Sequence, residues 1–124
     1  MICGIGVDIL RTDRIGNLRG KYDDPFFEKT FTGNELAAGM SRADPIAYFA
    51  GRFAAKEAVL KALGAGSDAF RFRDIETLSD DLGKPYVNLY GCMKERFDAI
   101  GARRIHISIS GDGDYVTAFA ICEI

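Results

Sequence analysis

Asp8, Glu57 and Lys61 are the residues of this 124-residue chain whose types and setting best suit chemistry. Glu57 and Lys61 lie in the run from Phe49 to Gly64, which reads as a helix of alanine and large apolar residues carrying four charges: Arg52, Lys56, Glu57 and Lys61. At about 100° per residue its apolar side chains leave no broad polar face, so the helix is expected to be largely buried. Buried charges are costly unless they are paired or bind a metal or ligand. Glu57 and Lys61 stand one turn apart, about 40° around the axis. On an exposed helix they would form an i,i+4 ion pair worth only a few tenths of a kcal/mol. In an alanine-lined helix the burial cost exceeds that return, and a cation site beside an anion site fits better. Lys61 suits a phosphate as a compact point charge; Arg52 and Lys56 could do the same or reach out to solvent.

Residues 2–10 alternate as a strand, with Ile5, Val7 and Ile9 on one face and Gly4, Gly6 and Asp8 on the other. The two glycines leave that face open to a ligand or another backbone. An acid at a strand end is ordinarily a cap or a surface charge. If this strand lies beside the central helix, however, Asp8 and Glu57 converge on one hard cation. Two carboxylates completed by water and phosphate oxygens are what magnesium prefers.

His106, the sole histidine, shares a strand face with Ser108 and Ser110. A lone histidine is more often a hydrogen-bonded structural residue than a catalyst. The chain has no GxSxG elbow and no GxxxxGK[ST] loop, and Gly4-Ile5-Gly6 lacks the third glycine of a dinucleotide fingerprint. Gly111-Asp112-Gly113-Asp114 lacks the spacing of a calcium loop and reads as a turn.

The elements that must position these residues are punctuated clearly. Thr32-Gly33-Asn34-Glu35 is a capping-box signal for a short helix. Asp44-Pro45 opens the central helix, and Gly64 closes it with Gly66 helping the reversal. Strands are predicted near 73–79 and 85–90, a helix over 91–100, and a hairpin from Arg104–Ser110 and Tyr115–Ile124. This order predicts a single α+β domain over residues 1–124, a mainly antiparallel sheet packed against a long central helix.

Composition narrows the function classes. An apolar content of 48% supports a core without disulfides. Cys3, Cys92 and Cys122 are odd in number and show no metal spacing, so reduced thiols in a cytoplasmic protein are expected. No signal peptide opens the chain and no apolar run is long enough to span a bilayer, so no membrane role is expected. A net charge of −2 argues against a nucleic-acid binder with a basic surface. Arg11, Arg14, Arg19 and Lys21 nevertheless face only Asp13 within residues 11–21. That strip is either a solvated helix face or a docking surface for an acidic partner.

Gly4-Ile5-Gly6-Val7-Asp8-Ile9, Arg14-Ile15, Phe49 to Gly64, Gly83-Lys84-Pro85 and His106-Ile107-Ser108-Ile109-Ser110 together resemble the holo-acyl-carrier-protein synthase family, the short-chain 4′-phosphopantetheinyl transferases, in order and spacing. The resemblance covers essentially the whole chain. It implies transfer of the phosphopantetheine arm of coenzyme A to a serine of apo acyl carrier protein, with release of adenosine 3′,5′-bisphosphate. It also implies a homotrimer with active sites at subunit interfaces. Asp8 and Glu57 then match the Mg2+ ligands and Lys61 the lysine at the phosphates. Arg52, Gly64, Pro85 and His106 match the nucleotide side of the cleft, and Arg14 matches the helix that docks the acidic carrier. The group that takes the serine proton stays open between a water on the metal, Glu57 and Asp8. Two segments depart from the family pattern: Gly111 replaces a second histidine, and residues 65–70 differ from the commoner Thr-Gly-Ile-Gly. A binding module without turnover and a structural assembly protein are the competing readings.

Overall fold

The computed structural model describes residues 1–17, 24–65 and 70–124. Arg19, Lys21 and Gly66, and with them most of the divergent 65–70 segment, lie outside the described residues. The fold class is α+β, as expected. Strand β1 (Ile2–Arg11) pairs antiparallel with β5 (Tyr115–Glu123), and β5 pairs on its other edge with β4 (Arg104–Asp112). Strands β2 (Ile75–Ser79) and β3 (Pro85–Leu89) form a separate antiparallel pair. The helices are α1 (Asp13–Gly16), α2 (Pro25–Thr30), α3 (Gly33–Met40), α4 (Pro45–Leu63) and α5 (Gly91–Ala99).

Helix α4 starts and stops where its sequence requires. The Asp44 carboxylate accepts from the Ala47 N–H at 3.2 Å, and Pro45 occupies the first turn, where its missing N–H costs nothing. Gly64 ends the helix at φ 62°, a left-handed conformation that glycine adopts without a Cβ clash. Between these ends the helix is buried nearly all round, matching its uniformly apolar sequence.

The inner face of the three-stranded sheet covers α4. A Cβ built on Gly4 would stand 1.8 Å from the Ala62 carbonyl oxygen, and one on Gly6 would stand 1.9 Å from that of Ala58. The open face of β1 is therefore filled by the helix backbone, which seats directly on the strand. Below α4, Phe27, Phe31 and Phe49 form a fully buried aromatic cluster with centroids 4.9–6.0 Å apart.

Lys56 reaches neither phosphate nor solvent, contrary to the expectations above. Its Nζ donates to Glu35 Oε1 at 2.7 Å and to the Phe72 and Ile75 carbonyl oxygens, and both side chains of the ion pair are completely buried. Glu35 closes the predicted capping box by accepting from the Thr32 N–H at 2.9 Å. Its second oxygen accepts from the N–H and hydroxyl of Thr77. Burial lowers the pKa of Lys56, and the neighbouring Glu35 carboxylate opposes the shift. One ion pair thus ties α4 to α3 and β2.

Two boundaries differ from the sequence reading by two residues. A 3-10 turn over Phe72–Asp74 takes the residues before Ile75, so β2 starts later than expected. Pairing of Gly111 with Val116 and of Asp112 with Tyr115 extends β4, leaving only Gly113 and Asp114 in the hairpin loop.

Replacing Glu35 by Gln is expected to leave Lys56 buried without its counter-charge, costing about 3–5 kcal/mol of stability. Urea unfolding checks this; an unchanged midpoint would show that the pair is not what ties these elements together.

Candidate active site

Asp8 extends from β1 just beyond the seated glycines, and Glu57 extends from α4 just before Ala58, the residue on which Gly6 sits. Contact between the two backbones thus brings residues separated by most of the first half of the chain to one place. The Asp8 backbone is held from β5, whose Thr117 hydroxyl donates to the Asp8 carbonyl oxygen at 2.9 Å. Lys61, in the last turn of α4, donates from Nζ to the Val7 carbonyl oxygen at 2.8 Å and approaches Asp8 Oδ1 at 3.4 Å. Its side chain is about half exposed, so the expectation of a buried ammonium on the Glu57 face is corrected: Lys61 leaves the core and turns toward β1.

The electrostatics of this corner are set by burial and by neighbouring charges. Burial raises the Glu57 carboxyl pKa, and the negative charge of Asp8 raises it further, while Lys61 and Arg14 act in the opposite direction. Two neighbouring carboxylates with one lysine beside them are a donor set that could hold a hard divalent ion. Among the described residues no group of three or more His, Cys, Asp or Glu side chains gathers to hold a metal. Two protein oxygen donors leave most of an octahedral shell to water or substrate, the arrangement magnesium accepts.

A second polar centre lies on the same helix. Arg52 is buried and borders a pocket with Tyr48, Gly83, Pro85 and Ile109. Its Nη2 donates to Ser79 Oγ at 2.8 Å, and its guanidinium stacks 4.6 Å from the centroid of the Tyr48 ring. Its Nη1 is buried and has no hydrogen-bond partner among the described residues. An unmade bond at a buried charged donor costs about 1–3 kcal/mol or more, so this nitrogen could take an acceptor from outside the chain. Burial lowers the Arg52 pKa, with Tyr48 acting against the shift. Sequence reasoning missed Tyr48 and Ser79. The i,i+4 spacing of Tyr48 and Arg52 was a usable signal; for Ser79, on a different element, there was none.

The remaining candidates fall in three places. Pro85 shares the Arg52 pocket. Gly64 closes α4, with Arg96 donating to the Leu63 carbonyl oxygen at 2.9 Å beside it. His106 stands apart: it lies on the outer face of the sheet, 2.5 Å from Glu123 Oε1, while Asp8 and Arg52 lie on the α4 side. Within the chain the ring of His106 is held by this contact to the neighbouring strand β5. Arg14 is exposed on α1, close enough for its charge to act on Glu57.

Residues 4–120 match the family model of the 4′-phosphopantetheinyl transferase superfamily. The holo-[acyl-carrier-protein] synthase of Clostridium novyi is 45% identical over 124 residues, covering 100% of this chain and 89% of that protein. The crystal structure of the Neisseria meningitidis holo-[acyl-carrier-protein] synthase superposes with a TM-score of 0.89 at 38% identity, covering 100% of both chains. The Bacillus anthracis enzyme, solved in complex with CoA (3′,5′-ADP), superposes with a TM-score of 0.80 at 34% identity, covering 99% of this chain and 97% of that one. With its acids, lysine and central helix on a fold shared over the full length, the chain belongs to the holo-[acyl-carrier-protein] synthase family of 4′-phosphopantetheinyl transferases.

Proposed function

We propose that this chain transfers the 4′-phosphopantetheine group of coenzyme A to a serine of apo acyl carrier protein, releasing adenosine 3′,5′-bisphosphate. The observation that carries the reading is the meeting of Asp8 and Glu57, with Lys61 at its edge. Asp8 and Glu57 would hold Mg2+. When bound, that ion would supply polarisation of the attacked phosphate and neutralisation of developing negative charge. Lys61, half exposed and already oriented by the Val7 carbonyl, is available to a diphosphate oxygen and to the leaving group. The unpartnered Nη1 of Arg52 takes an acceptor on the nucleotide side, with Pro85 in the same pocket and Gly64 at the end of the same helix. In the reaction the serine oxygen forms a bond to phosphorus, the bond to the bisphosphate breaks, and the serine proton leaves with a base. Positioning contributes more to such a transfer than base strength does.

The outer face of the β1–β5–β4 sheet supports a homotrimer. Ile5, Val7 and Ile9 are 61%, 52% and 66% exposed, and Phe119 between them on β5 is 42% exposed. Such a contiguous apolar surface fits burial against further copies of the chain. His106 lies on this face, so it would serve the site of a neighbouring copy rather than its own. We also place the protein in the cytoplasm, a reading its three free thiols support.

Asp8→Ala and Glu57→Ala are each expected to lower turnover by about a hundredfold or more with the circular dichroism spectrum unchanged. The readout is the intact mass of apo carrier protein incubated with coenzyme A and magnesium, and the phosphopantetheine gain should vanish with chelator. Full activity in either variant would remove the metal assignment, and coenzyme A binding without a mass gain would indicate a binding module instead. Arg14→Glu is expected to raise KM for carrier protein by roughly tenfold and to leave KM for coenzyme A unchanged. Equal changes in both constants would rule out a docking role. Light scattering should give three times the chain mass; a monomer would overturn the interfacial site.

A further inference from the structure

Cys3 and Cys122 stand at opposite ends of the chain and meet in the fold. Strict alternation along β1 would point Cys3 outward with Ile5, Val7 and Ile9. A bulge prevents this: Ile2 pairs with Glu123 and Gly4 with Cys122, so Cys3 is an extra residue without a pairing partner of its own. The added residue turns Cys3 onto the inner face, where its Sγ lies 3.1 Å from Cys122 Sγ. Gly4 anchors the bulge, because its place against the Ala62 carbonyl admits no side chain. Cys122 is fully buried and Cys3 is partly open, whereas Cys92 on α5 is exposed and takes no part. Burial closes Cys122 to solvent, which leaves the partly open Cys3 as the sulfur an oxidant reaches first. Neither thiol has a role in the transfer reaction proposed above.

We propose that Cys3 and Cys122 are a dithiol oxidation site, closed by peroxide to an intramolecular disulfide that fastens the first strand to the last. Cys3 sulfur attacks a peroxide oxygen and breaks the O–O bond, giving the sulfenic acid and one water. Cys122 sulfur then attacks the sulfenic sulfur, forms the S–S bond and expels a second water that carries away its proton. Two thiols lose two electrons and one hydrogen peroxide is reduced to two waters. Sulfurs already in contact need to approach by only about 1 Å more. The closed loop spans nearly the whole chain, where a cross-link restricts the unfolded state most.

The test treats the purified full-length chain with hydrogen peroxide at neutral pH, denatures it and alkylates it with N-ethylmaleimide. Untreated protein is expected to take a maleimide at each of Cys3, Cys92 and Cys122, and oxidised protein only at Cys92. Peptide mapping should then join the Cys3 and Cys122 peptides, and dithiothreitol should restore alkylation of both. Oxidation should also raise the thermal midpoint by roughly 10 °C or more. A Cys92→Ser variant, free of the exposed thiol, should take no maleimide after peroxide. The proposal is overturned by alkylation at all three positions after peroxide, by sulfinic acid at Cys3 with Cys122 still alkylated, by a cross-link through Cys92, or by an unchanged midpoint.

Discussion

The direct seating of β1 on α4 is the contact on which the rest of the molecule depends. Gly4 and Gly6 have no Cβ, and the carbonyl oxygens of Ala62 and Ala58 occupy the space where one would be. Backbone contact this close sets the height of the sheet above the helix and its position along the helix axis. It also determines where Asp8 stands relative to Glu57, since each follows from its own backbone by a short, fixed offset. The seating explains why Gly4 and Gly6 face the helix while Ile5, Val7 and Ile9 are exposed, with a large inward side chain, Leu10, only farther along the strand. Larger residues in place of Gly4 and Gly6 would lift the strand and separate the two acids.

A helix buried on all sides must place each of its charges individually, and α4 places four of them in different ways. Lys56 and Glu57 are adjacent in sequence and point roughly 100° apart. One enters the core between α3 and β2, where Glu35 and two carbonyl oxygens compensate it. The other emerges beside Asp8, where burial and the neighbouring carboxylate raise its pKa against the pull of Lys61 and Arg14. Arg52 is buried with one nitrogen satisfied and one not, and Lys61 escapes to the edge. The charges left incompletely partnered among the described residues are the ones on which the proposed function draws. Lys56, completely satisfied, is a structural residue of the core.

The sheet's outer face carries the complementary lesson. Ile5, Val7, Ile9 and Phe119 present an apolar surface, and His106 stands at its side. Residues on this face cannot join the α4-side site within one protomer, because the sheet itself lies between. A site that uses both faces therefore requires more than one copy of the chain.

The local elements were legible because their signals are local. The Thr32–Glu35 capping box, Asp44-Pro45 at the start of α4 and Gly64 at its end each act within one turn of backbone. The acids and Lys61 could be singled out because charges are out of place in an apolar helix and beside glycines. What the sequence determined by itself was most of the elements, though not α2 or the 3-10 turn before β2, together with the unusual helix and the residue types available for chemistry. Tertiary structure alone decided what each charge meets inside the fold: Lys56 pairs with Glu35, Lys61 donates to the β1 backbone, and one nitrogen of Arg52 donates to Ser79. It also decided the meeting of Cys3 with Cys122, through a one-residue bulge that alternation does not reveal. The physical reason is the same in each case. Caps and periodicity depend on neighbours along the chain, whereas compensation of a buried charge and contact between sulfurs depend on neighbours that only packing supplies.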